Sequence, residues 1–213
     1  MSRLAGASIS RHKQIVIAPW PLWVWLPRAF LVPMASVVIA FLAALPSSAQ
    51  NSAPNEYQVK AAFLFNFAKF IQWPDGTFTN STSAFTVCVL GKDPFGKALD
   101  DAILGKRLAE HPAVLARAKR VQELPECQIL FVSGSDSPPL TELLHVLRGR
   151  PELVVGETEN FAASGGAIQF VLEENRVRFA INTDAVDRAG LRVSSKLLAL
   201  ATIVHDSAAR GNN

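Results

Sequence analysis

The sequence predicts an α/β fold: a single-domain, open, mostly parallel three-layer sheet with an antiparallel hairpin at one edge. Three observations lead there. Residues 85–90, 129–133 and 153–155 are short, unpatterned apolar runs, the signature of strands buried on both faces. Helical segments alternate with these runs, which implies parallel strands joined by crossovers. Residues 167–173 and 176–182 flank Glu174-Asn175, the layout of a hairpin.

Ahead of this domain, residues 1–49 carry Arg3, Arg11, Lys13 and Arg28 and no acidic residue. An apolar run from residue 29 to 45 follows, then Pro46 and the small residues Ser47, Ser48 and Ala49. That order is the layout of a secretory signal peptide cleaved after Ala49. The competing reading is a retained membrane anchor, which needs about 20 consecutive apolar residues; Pro27, Arg28 and Pro33 interrupt the span. Either way the folded part is expected in the periplasm. The whole chain has 21 Lys and Arg against 18 Asp and Glu, a net charge of +3. Four of those cations lie in the leader, so the remainder has 17 against 18, a net of −1. A nucleic-acid footprint needs a clustered basic surface, and Arg117 with Lys119-Arg120 is a small one, so nucleic acid is not expected as a partner. Residues 50–206 form the expected domain, large enough to bury a core without metal, and 207–213 read as a disordered tail.

Within the domain, Asn55 with Gln58 three residues on is a capping-box pattern opening a helix over residues 56–72. Its expected buried face is Val59, Ala62, Phe63, Phe67, Phe70 and Ile71, with Lys60, Lys69 and Gln72 wetter. Trp73-Pro74 ends it, because a residue before proline avoids the helical region. The strand at 85–90 precedes a short helix over 95–104, a strand over 113–119, the strand at 129–133 and a helix over 139–147. The strand at 153–155, a helical turn near 160–163 and the hairpin come next. Two helices close the domain: one over 184–189, capped by Asn182 or Thr183, and one from the cap Ser194, with Leu197, Leu198, Ala201 and Val204 on its apolar face.

Chemistry-bearing motifs are sparse. Gly91-Lys92-Asp93-Pro94-Phe95-Gly96-Lys97-Ala98 approaches a phosphate-binding loop, but Ala98 replaces the Ser or Thr that holds magnesium and Pro94 removes a backbone donor. A strand-to-helix turn is the simpler reading. His111, His145 and His205 lack neighbours at metal-ligand spacing, and Ser133-Gly134-Ser135-Asp136-Ser137 is not a nucleophile elbow. No catalytic residue, metal ligand or cofactor is therefore assigned. Cys88 and Cys127 are the only cysteines. An even count in an oxidising compartment favours a disulfide, with two buried free thiols as the alternative. Arg176, Arg178, Arg188 and Arg192 read as solvated ion pairs or as a patch for an acidic partner or small anion. The four phenylalanines Phe63, Phe65, Phe67 and Phe70 exceed what one core face needs, which leaves core packing or a partner surface open.

Six blocks of the domain carry a resemblance: VKAAFLFNFAKFIQWP at 59–74, CVLGKDPFG at 88–96, CQILFVS at 127–133, FAASGGAI at 161–168, RVRFAIN at 176–182 and AGLRVSSKLL at 189–198. Together they resemble the YfiR/HmsC-like family of periplasmic proteins. The resemblance implies a non-enzymatic regulator that binds the periplasmic domain of an inner-membrane diguanylate cyclase and holds it inactive, lowering cyclic-di-GMP and biofilm formation. It also implies that a cysteine pair like Cys88 and Cys127 is bonded. On that footing the first helix and residues 190–198 are the expected interface, with Phe65 and Arg192 as partner-binding residues and a homodimer or partner-bound form expected. The competing expectation is a receptor or enzyme with a pocket at the strand C-terminal ends near Gly91 and Ser133.

Overall fold

The computed structural model describes residues 55–207. The expected signal peptide or anchor at 1–49 and the tail beyond Ser207 lie outside them. Ser207 itself is tied down, its N–H and hydroxyl both donating to the Ala163 carbonyl at 3.0 Å.

Helix α1 (Glu56–Ala68) starts in the expected capping box: Asn55 Oδ1 accepts from Tyr57 N–H, and Asn55 N–H donates to Gln58 Oε1 at 2.9 Å. It stops four residues earlier than expected. Ile71–Gln72 forms strand β1, so the extended backbone before Pro74 is recruited into pairing rather than left as a helix end. Strand β2 (Phe85–Leu90) leads through helix α2 (Lys97–Ile103) to strands β3 (Arg107–Leu108) and β4 (His111–Ala118). A 3-10 turn (Val121–Glu123) and strand β5 (Ile129–Val132) come next. Helix α3 (Leu140–Val146), strand β6 (Leu153–Gly156) and the hairpin of β7 (Ile168–Glu173) and β8 (Arg176–Asn182) follow. Glu174 and Asn175 both have positive φ, at 48° and 61°, the backbone a two-residue hairpin with right-handed strand twist requires. Helix α4 (Thr183–Arg188) is capped by Asn182, whose side chain accepts from Ala185 N–H at 3.1 Å. Strand β9 (Arg192–Val193), helix α5 (Ser195–Leu198) and strand β10 (Thr202–Val204) are the last elements of the described residues.

Eight strands pair in the order β10-β8-β7-β6-β5-β2-β4-β3, and β1 with β9 makes a separate two-stranded ribbon. The expected mostly parallel α/β sheet is observed, with β2, β4, β5, β6 and β7 parallel and the hairpin antiparallel. One strand lies outside the hairpin. The β-branched run of β10 leaves the expected closing helix after one turn and pairs parallel to β8, Ile203 opposite Ile181.

Both faces of the central strands are covered. Val87, Val89, Ile129, Phe131 and Val155 face α1 and α2, while Cys88, Leu90, Leu130, Val132 and Val154 face α3 and Phe161. This is why β2, β5 and β6 show no polar alternation. Cys88 and Cys127 are bonded, with Cα atoms 5.9 Å apart, and join β2 to the segment entering β5. On the same face the Phe161 ring lies between Gly156 and Gly166; a Cβ on either would stand 2.4 or 2.2 Å from ring carbons.

Two outcomes follow for stability. Replacing both cysteines by alanine should lower the urea unfolding free energy by on the order of 4 kcal/mol, the loop-closure value for 39 residues. Gly166→Ala should cost about 1–3 kcal/mol through overpacking. Adding Phe161→Leu to it should recover part of that loss, whereas a purely additive double variant would contradict the packing reason.

Candidate partner interface

The two segments expected to meet a partner are brought together by backbone pairing. Ile71 sits opposite Val193 and Gln72 opposite Arg192, and Ser194 N–H donates to the Phe70 carbonyl at 2.9 Å. Gly190, at φ +70°, turns the chain from α4 into this ribbon. Arg192 is exposed and makes no ion pair among the described residues. It borders two shallow hollows. One of about 340 Å³ is lined by Gln72, Trp73, Pro74, Asp75 and Gly190. The other, about 430 Å³, is lined by Thr183, Val186, Asp187, Val193 and Leu198. Trp73 packs edge-on to Phe85 at 5.6 Å, and its indole N–H is buried without a hydrogen-bond partner in the described residues. The surface thus offers a free guanidinium, able to grip a carboxylate through two N–H groups, between two recesses of mixed lining that include Asp75 and Asp187.

Phe65 does not belong to that surface. It is 6% exposed, in the same core as Phe67 and Leu64. Only Gln58, Ala62 and Asn66 of α1, with Lys69 at its C-cap, reach solvent freely, a narrow stripe at helical spacing. The remaining circumference is covered, which accounts for the excess of phenylalanine: Phe63 and Phe67 pack on Phe170 and Phe179 with ring centroids 5.1–6.3 Å apart. Ala62, expected inside, lies on the exposed stripe.

The other motifs have structural occupations. Lys97 points to solvent and pairs with Asp101, so it cradles nothing. Arg117 closes the Gly91–Gly96 turn by donating to Asp93 at 2.6 Å and Asp100 at 2.8 Å, and its hydrogen bonds hold the Asp100 carboxyl below the usual range. At the strand ends, Ser137 Oγ donates to the Leu90 carbonyl, and a Cβ on Gly91 would stand 2.5 Å from that oxygen. The chain itself fills the crevice beside Gly91. His111 Nδ1 lies 2.8 Å from the Ser83 carbonyl, under a stacked Phe78. His205 Nδ1 lies 3.0 Å from Asp184, whose carboxyl is lowered by that hydrogen bond. Among the described residues no group of three or more His, Cys, Asp or Glu could hold a metal ion, and no helix is long and apolar enough to cross a membrane.

A model of the YfiR/HmsC-like family matches residues 57–202, from the first turn of α1 to the first residue of β10. The chain belongs to the YfiR/HmsC-like family.

One further site in this YfiR/HmsC-like domain escaped the sequence reading. Lys60, expected on the wetter side of α1, is 4% exposed. Its ammonium donates to Glu157 Oε2 at 2.6 Å and pairs with Glu56, while lying 4.8 Å from the Tyr57 ring centroid. Glu157 follows β6 directly, so the pair fastens α1 to the end of a central strand. Burial alone would depress the Lys60 pKa; the hydrogen bonds to Glu157 and Glu56 outweigh it and raise the value. A raised amine binds its proton more tightly in the folded state. Its stabilisation is therefore complete below the unfolded value near ~10.4 and is lost as pH climbs through the folded one. Lys60→Met should cost roughly 3 kcal/mol at pH 7, because it strands Glu157. Lys60→Met with Glu157→Gln should recover part of the loss, as read by urea denaturation.

Proposed function

We propose that this chain is a periplasmic, non-enzymatic regulator that binds the periplasmic domain of an inner-membrane diguanylate cyclase and restrains it, lowering cyclic-di-GMP and biofilm formation. The single observation that carries this reading is membership of the YfiR/HmsC-like family over residues 57–202. The ribbon geometry supports a place for the contact: an unpaired guanidinium at Arg192, fixed by backbone pairing and flanked by recesses, is the kind of rigid polar anchor that binding surfaces use. Residues 1–49 serve as the export signal, and residues 50–206 act as the domain. The partner meets Arg192 and the strand ends at Gln72 and Trp73, and not Phe65. A homodimer remains compatible with this use of the ribbon.

Capture from detergent-solubilised inner membranes tests the reading. The full chain, expressed from its own start, should appear in the periplasm with Gln50 as its first residue and should retain a diguanylate cyclase on affinity resin. Arg192→Glu should reduce recovery of the cyclase at least tenfold without lowering thermal stability. Recovery of no membrane protein, or equal recovery by the variant, would count against the function and the surface respectively.

A further inference from the structure

A second concave surface lies on the opposite side of α4 from the ribbon. It is a groove of about 340 Å³ between the C-terminal end of α3, the loop 148–152 and α4. Its floor is apolar, with Leu147, Val154, Ala167 and Ala185 each buried. Its walls carry Arg148, Arg150 and Arg188. The size falls at the lower end of the ~300–1,000 Å³ range of small-molecule pockets.

The charges around the groove are out of balance. Arg188 is neutralised by Asp206, and Arg150 lies 3.7 Å from Glu152. Arg148 makes no ion pair among the described residues. Glu152 is the one carboxylate on the walls and is 5% exposed. Burial pushes it up to about 7, against the pull of Arg150 and of a Cys127 backbone hydrogen bond, so this single carboxylate offsets at most one of the three guanidinium charges. Gly165 keeps the groove open. Its φ of +105° suits glycine, and a Cβ there would stand 2.9 Å from Leu144 Cδ1 and 3.5 Å from Arg188 Nη2.

We propose that this groove binds a small organic anion, a carboxylate on an apolar body, with the body on the Leu147–Val154 floor and the carboxylate on Arg148 and Arg150. An apolar floor rewards burial of the ligand's carbon skeleton, and a guanidinium recognises a planar carboxylate through two parallel N–H donors. The groove's lining shares no residue with the two hollows that border Arg192, and the proposal does not depend on the partner reading.

Isothermal titration of the purified full chain with benzoate and with hexanoate tests it, beside the neutral comparators benzamide and hexanamide. Arg148 is exposed and unpaired among the described residues, so Arg148→Ala keeps the fold; Arg150→Ala also removes the partner of buried Glu152, so its thermal unfolding is compared with the parent chain, and Arg120→Ala, beyond the end of β4, serves as control. The proposal expects saturable 1:1 binding of at least one acid, weakened tenfold or more by Arg148→Ala, unchanged in Arg120→Ala, and no heat from the amides. Absence of saturation with both acids would overturn it. So would equal binding of acid and amide, or binding indifferent to Arg148→Ala and Arg150→Ala together. Adsorption to phosphatidylglycerol vesicles without binding of either free acid would also overturn it, by assigning the arginines to a charged surface.

Discussion

The burial of α1 is the constraint on which the rest of the structure depends. Its phenylalanines cannot be left in water, since each side chain of that size contributes about 1.5–3 kcal/mol when buried. The sheet supplies matching rings at Phe170 and Phe179 on the hairpin. Lys60 then fixes the helix's rotation and depth by reaching Glu157 at the end of β6. With both settled, the chain leaves α1 at Lys69 in one direction only, and Ile71–Gln72 meets Arg192–Val193. The ribbon that carries the exposed arginine is thus a downstream product of core packing.

Much of the fold was legible because the central strands advertise themselves. Phe85–Leu90 and Ile129–Val132 are too apolar to belong anywhere but between two helical layers, and Glu174-Asn175 marks a hairpin by the two positions it needs at positive φ. The elements that escaped are those made by pairing rather than by their own pattern. Strands β1, β3, β9 and β10 have two or three residues each, and β10 sits where Leu197, Leu198, Ala201 and Val204 mimic a helical face. Only the ladder to β8 decides against the helix, and a ladder between residues about 22 apart leaves no local trace.

The site was legible in part and for the same reason. The expected interface is the whole first helix with residues 190–198; strand pairing joins only Ile71–Gln72, beyond the observed helix, to Arg192–Val193. The surplus of phenylalanine points Phe65 toward a surface, but Gln58, Asn66 and Lys69 mark the solvent stripe and place Phe65 off it. Burial of Lys60 leaves no local trace, because a lysine is normally wet and one of its two partners lies nearly a hundred positions away. The groove arginines could not be gathered from sequence at all: Arg148, Arg150 and Arg188 meet only after α3 and α4 pack beside β6.

The buried helix is scaffolding, and the ribbon it positions is the proposed partner contact. Amide hydrogen exchange of the full chain, with and without the periplasmic domain of the proposed diguanylate cyclase partner, tests that division most directly. The account predicts slowed exchange on binding at residues 70–75 and 190–194, with the interior of α1 protected to the same extent in both states. Protection confined to another surface, such as the β3–β4 edge, with the ribbon unchanged, would contradict it.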